Sequence, residues 1–258
     1  MPQVPSQIES SADRKAPWLG VISCSVFENE IALLGADAPI AIHRKLPMGL
    51  HDQPGVLRQA LQVAIDTVSS VPEVAVVVLV YGLCGRGTHG LRAGRVPLVI
   101  PRAHDCVTLF LGSLSAYLER QERCPGCYYY TPGWNRDRRV PGPDRLHQLR
   151  RELEGQFDAD AIDYLVEVER ESWRHHATGC FVELGTADAE AEAAYAHGCA
   201  RSLGWRFEHV RGDPSLLRDL LHGRWDCDRF IQVNPGEWLA HDAGPQVFST
   251  RQAELSGQ

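Results

Sequence analysis

The chain has no apolar run long enough to cross a membrane. Its longest, Val74 to Tyr81, is far shorter than the roughly 20 residues that a bilayer core requires. No apolar h-region follows a charged start at the N-terminus, so the expected location is cytoplasmic. Positive charge is also scarce. Against 33 Asp and Glu there are 26 Lys and Arg, for a formal net charge of -7. No basic stretch interleaved with aromatics offers a track for a phosphate backbone. Neither nucleic acid nor membrane is therefore expected as a partner. A second CxxC or an HxxxH pair is missing as well, so Cys124-Pro125-Gly126-Cys127 cannot be completed to a zinc ribbon.

What is present is a chain of 258 residues, 44% hydrophobic, large enough for one sizeable domain or two small ones with a real core. Eight cysteines without a secretory leader are expected to be reduced ligands, nucleophiles or core fillers rather than a disulfide framework. Cys180, Cys199 and Cys227 fit the filler role, each lying beside apolar or small residues.

Apolar runs at Trp18–Cys24, Pro39–His43, Val74–Tyr81, Val96–Ile100, Tyr128–Thr131, Gly179–Leu184, Arg206–Val210 and Phe230–Val233 read as strands. Helical patterns at Gly55–Val68, Asp105–Arg120, Asp158–Trp173, Ala187–Leu203 and Ser215–His222 separate most of them. Strands apolar on both faces, alternating with helices, predict an α/β fold: a mainly parallel, Rossmann-like sheet with helices on both sides. The expected organisation is a disordered segment at 1–17, an α/β half carrying the site motifs at 18–135, and a lid or linker at 136–160. A second α/β half at 161–240 and a flexible tail at 241–258 complete it.

The carboxyl ends of parallel strands share one edge, where ligands bind. Cys24, Cys84 and Cys106, with His51 and His104, all fall just past segments read as strands. In YGLCGRGTHG, Tyr81 to Gly90, the glycines spell GxGxxG, the dinucleotide fingerprint. That reading fails because only Leu91 to Arg95 precede the next strand, too few for a crossover helix, and NAD is not expected. The glycines instead allow a sharp turn that leaves Cys84 at the sheet edge, with Gly85, Arg86 and Gly87 placed to meet a substrate. In PRAHDC, Pro101 to Cys106, Asp105 is a natural N-cap and would put a positive helix end beside His104 and Cys106. That arrangement lowers a thiol pKa. Arg102 adds a bidentate donor for carboxylate or phosphate. The bland reading of each motif is a tight loop, a capped helix and a surface ion pair. His51 opens a loop-to-helix junction before Pro54, and TPGW, Thr131 to Trp134, would set Trp134 over the pocket.

YGLCGRG, PRAHDC with a helix ending near Gly112 and Ser113, LHxxP at Leu50 to Pro54, and YYYTPGW together resemble the domain-of-unknown-function family 1638, over about Val21 to Val233. The resemblance implies companionship with corrinoid and methyl-transfer proteins, and so one-carbon chemistry. The CxxC at Cys124 and Cys127 departs from the expected family pattern and is kept out of the site.

Three function classes follow. In the first and favoured one, Cys24, Cys84 and Cys106 hold a metal with His51 or substrate at the remaining position. The candidates are zinc or a [4Fe–4S] cluster, since thiolates select both. His104, Asp105 and Arg102 would then serve catalysis on a small anionic substrate, as a transferase or lyase. In the second class Cys84 or Cys106 is a metal-free nucleophile of a transferase or hydrolase. The third is a non-catalytic accessory protein binding a small anion or a cofactor.

Overall fold

The computed structural model describes residues 18–252, so the expectations for 1–17 and for the end of the tail lie outside the described residues. Strand β1 (Leu19–Cys24) leads through a short 3-10 turn into α1 (Glu28–Leu34). Then come β2 (Ile40–Leu46), α2 (Pro54–Ser69), β3 (Val76–Val80) and β4 (Leu98–Pro101). Helices α3 (Cys106–Leu111) and α4 (Leu114–Arg123), strand β5 (Cys127–Tyr130), and α5 (Pro132–Asn135), α6 (Pro143–Leu153) and α7 (Ala159–Ser172) form the middle of the chain. The last third holds β6 (Thr178–Glu183), α8 (Ala189–Ser202), β7 (Arg206–Arg211), α9 (Ser215–Leu221), β8 (Phe230–Val233), β9 (Glu237–His241) and β10 (Phe248–Gln252).

The central sheet has the order β2-β1-β3-β4-β8. β1, β2, β3 and β4 run parallel, and β8 closes the edge antiparallel. The carboxyl ends of β1, β3 and β4 therefore share one edge, as the strand reading requires. Because β1 leads outward to β2 while β3 turns back to the other side, the order reverses between β1 and β3. Ligands of open α/β sheets bind in the crevice at such a reversal. The strands are apolar on both faces because both are covered. On one face Ile22, Val77, Leu79 and Ile100 pack with Leu57, Leu61 and Ile65 of α2. On the other, Val21, Val78, Val80 and Val99 pack with Ile31 of α1, Phe110 of α3 and Leu217 of α9.

A second, parallel sheet, β5-β6-β7, lies beyond that helix layer. Its Tyr129, Cys180 and Val182 join the same core as α1, α3 and α9. Its opposite face packs Tyr130 and Phe181 against Ala196 and Cys199 of α8. The two sheets divide the chain differently from the sequence boundaries. β5 precedes position 135 yet belongs to the second sheet, while β8, late in the chain, returns to the first.

The segment read as a lid carries α6, whose helical start is set by Pro143 in the first turn after Gly142. The long helix expected at Asp105–Arg120 is two helices, because Gly112 takes a left-handed φ of 83° and Ser113 caps the next helix from its side chain. The segment read as a tail contains β10, which pairs antiparallel with β9 and buries Val247 and Phe248. Arg102 latches this hairpin. Its guanidinium donates to the carbonyls of Cys227 (2.9 Å), Gln246 (2.8 Å) and Phe248 (2.8 Å). Arg102→Ala should cost roughly 2–4 kcal/mol, because three backbone acceptors lose a charged donor. Hydrogen exchange of the hairpin amides should accelerate in parallel, and unchanged exchange would show that the hairpin holds without the latch.

Candidate functional site

Each of the three strand ends at the reversal contributes a cysteine. Cys24 ends β1, and the amides of Ser25 and Val26 at the start of the 3-10 turn point back to its sulfur. Beyond β3, Tyr81 precedes Gly82, where an added Cβ would stand 2.7 Å from the Asp105 nitrogen and 2.8 Å from its Cα. Only glycine lets the two loops approach this closely. The loops are joined by Leu83 N–H to Ala103 O (2.9 Å) and Cys84 N–H to His104 O (3.0 Å). Cys84, Gly85 and Arg86 then take successive positive φ values of 46°, 62° and 71°. For the two non-glycine residues that conformation costs of order 1–3 kcal/mol each, the kind of strain that gathers at ligand sites. Thr88, whose hydroxyl donates to Gly82 O (3.1 Å), ties the loop back on itself. No helix follows it before β4.

Beyond β4, Asp105 caps α3 as its sequence position implies. Its carboxylate accepts from Thr108 N (3.2 Å) and from the Tyr117 hydroxyl (3.1 Å). Cys106 opens the helix. Cys24, Cys84 and Cys106 face one cavity of about 310 Å³ together with Tyr81, Asp105 and His51. Phe27, which stacks on Phe110 with ring centroids 4.9 Å apart, and Trp134 close its apolar wall. The convergence expected of the three thiols is thus present in the fold.

The electrostatics differ from the expectation. A helix start beside Cys106 was expected to lower its pKa, but burial and then the Asp105 carboxylate push it well above the usual thiol value. Burial pushes Cys84 up to about 12, and it raises Cys24 against the pull of the two backbone amides. Asp105 is itself raised by burial. The Tyr81 hydroxyl is buried beside the Cys24 sulfur, and its pKa is raised by burial and then by the three thiols. No Lys or Arg lines the cavity. Three thiols, a carboxylate and a phenol thus crowd together with no Lys or Arg to balance them.

The other expected residues divide. Gly85 lines the cavity, and Trp134 stands between it and a neighbouring one of about 420 Å³ that Arg139 and Tyr128 also line. His51 lies half-exposed on both, its Nε2 3.3 Å from Asp52. Gly87 packs under Leu57, where an added Cβ would meet Cδ2 at 2.4 Å. Arg86 is exposed, and the structure does not bring it to the cavity. Arg102 is occupied by the hairpin, and the His104 ring lies beside Tyr117, with centroids 5.8 Å apart, rather than in the lining. Among the described residues no group of three or more His, Cys, Asp or Glu side chains is disposed to hold a metal ion. Sequence reasoning missed Tyr81 and Phe27 as site residues, although both adjoin its motifs. A larger cleft of about 750 Å³, beside α6 and α7, is lined by Arg150, Arg170 and Arg174 but by no thiol, and each arginine is paired with a nearby carboxylate.

The chain belongs to the DUF1638 family. The family, described as Protein of unknown function, matches residues 45–221. That range contains His51, Cys84, Cys106 and Trp134 but begins after Cys24, so it is shorter than the stretch expected from the motifs. No curated protein and no solved structure matches the chain. No helix among the described residues is long and apolar enough to cross a membrane.

Proposed function

We propose that this DUF1638 protein is a metalloenzyme whose cavity at the β1/β3 reversal holds an iron–sulfur cluster on Cys24, Cys84 and Cys106. The observation carrying this reading is the convergence of three thiols from three strand ends on one cavity that contains a carboxylate and no Lys or Arg. Such a group of anions-in-waiting suits a thiophilic cation, which deprotonates the thiols it binds. Zinc is the second candidate metal. Zn–S bonds of about 2.3 Å would gather the three sulfurs to within roughly 4 Å of one another. The side chains are not disposed to hold a single ion. A cluster would take the three thiolates at separate corners, one on each of three irons.

Three protein thiolates leave one corner for His51 or for substrate. Such a cluster would supply a Lewis-acidic iron for group transfer or cleavage on a small anionic substrate. With Arg86 and Arg102 elsewhere, that centre is the cation a carboxylate or phosphate would meet. Trp134, Phe27 and Leu57 give the cavity an apolar wall, and the Tyr81 hydroxyl beside Cys24 offers a polar group inside it. A metal-free nucleophile fits less well, because burial and Asp105 raise Cys84 and Cys106 and no cation stands by to form a thiolate. A corrinoid or methyl-transfer partner, implied by the family resemblance, would place the reaction in one-carbon metabolism.

The deciding experiment is metal and sulfide analysis with an absorption spectrum on protein purified without oxygen. A brown protein with iron and acid-labile sulfide is expected. Colourless protein with stoichiometric zinc would replace the cluster by zinc, and metal-free protein that retains activity would overturn the reading.

A further inference from the structure

A second group of thiols lies on the other sheet, apart from the cavity. At the end of α4, the Cys127 amide donates to the Cys124 carbonyl at 3.1 Å, which makes Cys124-Pro125-Gly126-Cys127 a tight turn. A four-residue turn keeps its end Cα atoms within about 7 Å, overlapping the disulfide range of roughly 4.4–6.8 Å. The turn is pinned in place. The Ala177 amide donates to Gly126 O (3.1 Å), and an added Cβ on Gly126 would stand 3.0 Å from His175 O. Cys124 and Cys127 are partly exposed, and the Cys124 sulfur reaches both the Thr178 hydroxyl and the Cys127 thiol.

Behind them stands Cys180. In the parallel register Cys127 pairs with Thr178 and Tyr129 with Cys180, so Cys127 and Cys180 share one face of the sheet. Arg120 of α4 covers that face, with Nη2 3.1 Å from the Cys180 sulfur and an ion pair to Glu208.

We propose that Cys124 and Cys127 form a redox-active dithiol that reduces disulfides by thiol–disulfide exchange, with the Arg120-paired sulfur of Cys180 receiving the proton of Cys127. The co-reactant is a disulfide R–S–S–R, of a small thiol or an exposed peptide. Cys124, deprotonated by solvent, attacks one sulfur, forms a mixed disulfide and expels the first thiolate, which takes a proton from water. Cys127 passes its proton to Cys180, held as a thiolate beside Arg120, and attacks the Cys124 sulfur, breaking the mixed disulfide and releasing the second thiolate, which takes a proton from water while Cys180 returns its own to solvent. Two electrons leave the protein, one Cys124–Cys127 bond forms, and two molecules of thiol are produced.

The neighbours support these roles. Hydrogen bonding from Cys127 and then the Arg120 guanidinium lower the Cys180 thiol, whereas Cys127 and Cys124 are both raised. A dithiol whose reduced form gains no thiolate stabilisation is a reductant, because a stabilised reduced form is what makes an oxidant. The chemistry is independent of whatever metal the cavity holds.

The test uses the full chain, reduced and then equilibrated with graded mixtures of oxidised and reduced glutathione, alkylated and mapped by mass spectrometry. Cys124 and Cys127 should lose their free thiols together and appear as one linked peptide pair, at mixtures still dominated by reduced glutathione. Cys127→Ser should trap glutathione on Cys124, and Cys124→Ser should leave Cys127 largely free. Cys180→Ala should form the same mixed disulfide but resolve it about tenfold more slowly, with the pH dependence of resolution moved upward. Free Cys124 and Cys127 in excess oxidised glutathione, or a Cys127–Cys180 link instead, would overturn the proposal, and the wild-type map decides this even if a variant does not fold. Iron measured on the same samples should be equal in wild type and Cys124→Ser, so a failure here is separable from a failure of the cluster.

Discussion

Cys24→Ser, Cys84→Ser and Cys106→Ser, each purified without oxygen, should lose iron and sulfide by on the order of tenfold or more relative to wild type, while Cys199→Ser keeps both. The three sulfurs line one cavity, and a serine hydroxyl in their place is a poor soft-metal ligand. Cys199 is more buried than the three cavity cysteines, but it packs in α8 under Gly142, where an added Cβ would meet its sulfur at 2.6 Å. Its replacement should cost only about 1 kcal/mol of stability, from a hydroxyl in an apolar site. Cys84 is the most informative of the three. It holds a left-handed φ of 46° that its side chain disfavours, so the fold tolerates strain to keep a thiol there. Cys84→Gly should therefore relieve strain and raise the melting temperature while abolishing metal content. Equal iron in all four serine variants would assign the cavity thiols to packing.

The sheet and the thiol convergence were legible because both rest on patterns local to the chain. Apolar runs mark β1, β3 and β4, and a parallel arrangement puts their ends on one edge whatever the details of packing. Features set by distant contacts were not legible. Arg102 follows β4 in a motif that looks made for an anion, yet its acceptors are carbonyls 125, 144 and 146 positions away. Strand β10 looked like part of a tail because Arg251, Gln252 and their neighbours are polar, and in that segment only Val247 and Phe248 among the described residues are buried hydrophobics. The thiol pKa values were misjudged for the same reason. A helix start near Cys106 can be read from Asp105, but the burial and the Asp105 carboxylate that outweigh it depend on how Gly82 lets the loops close.

Glu30→Gln should remove a loss of stability that wild type suffers as pH rises from about 4.5 to about 7. Glu30 lies on α1, fully buried, and no other side chain among the described residues hydrogen-bonds its carboxylate. Burial raises its pKa from 4.5 to about 7, opposed first by its own backbone amide, with smaller, mutually opposed contributions from the Asp188 charge, which raises it, and Arg136, which lowers it. Below pH 4.5 the folded and unfolded chains both carry the proton, and the group is neutral to stability. Between about 4.5 and 7 the unfolded chain releases it while the folded chain keeps it, so the folded state binds more protons and stability falls with pH. Above 7 the folded carboxyl ionises too and the loss levels off, at roughly 3 kcal/mol for a shift of about 2.5 units. Glutamine has the same shape and cannot ionise. The variant should match wild type near pH 4.5 and exceed it by up to about 3 kcal/mol at pH 8, as read from urea midpoints across the range. Parallel wild-type and variant profiles would mean that a partner compensates Glu30 when it ionises. The direction also bears on the cavity, because α1 follows the 3-10 turn that carries Phe27 to the cavity wall. Loosening of α1 by the ionised carboxylate would reach the turn that positions Cys24, so metal retention at pH 8 should improve in Glu30→Gln together with stability.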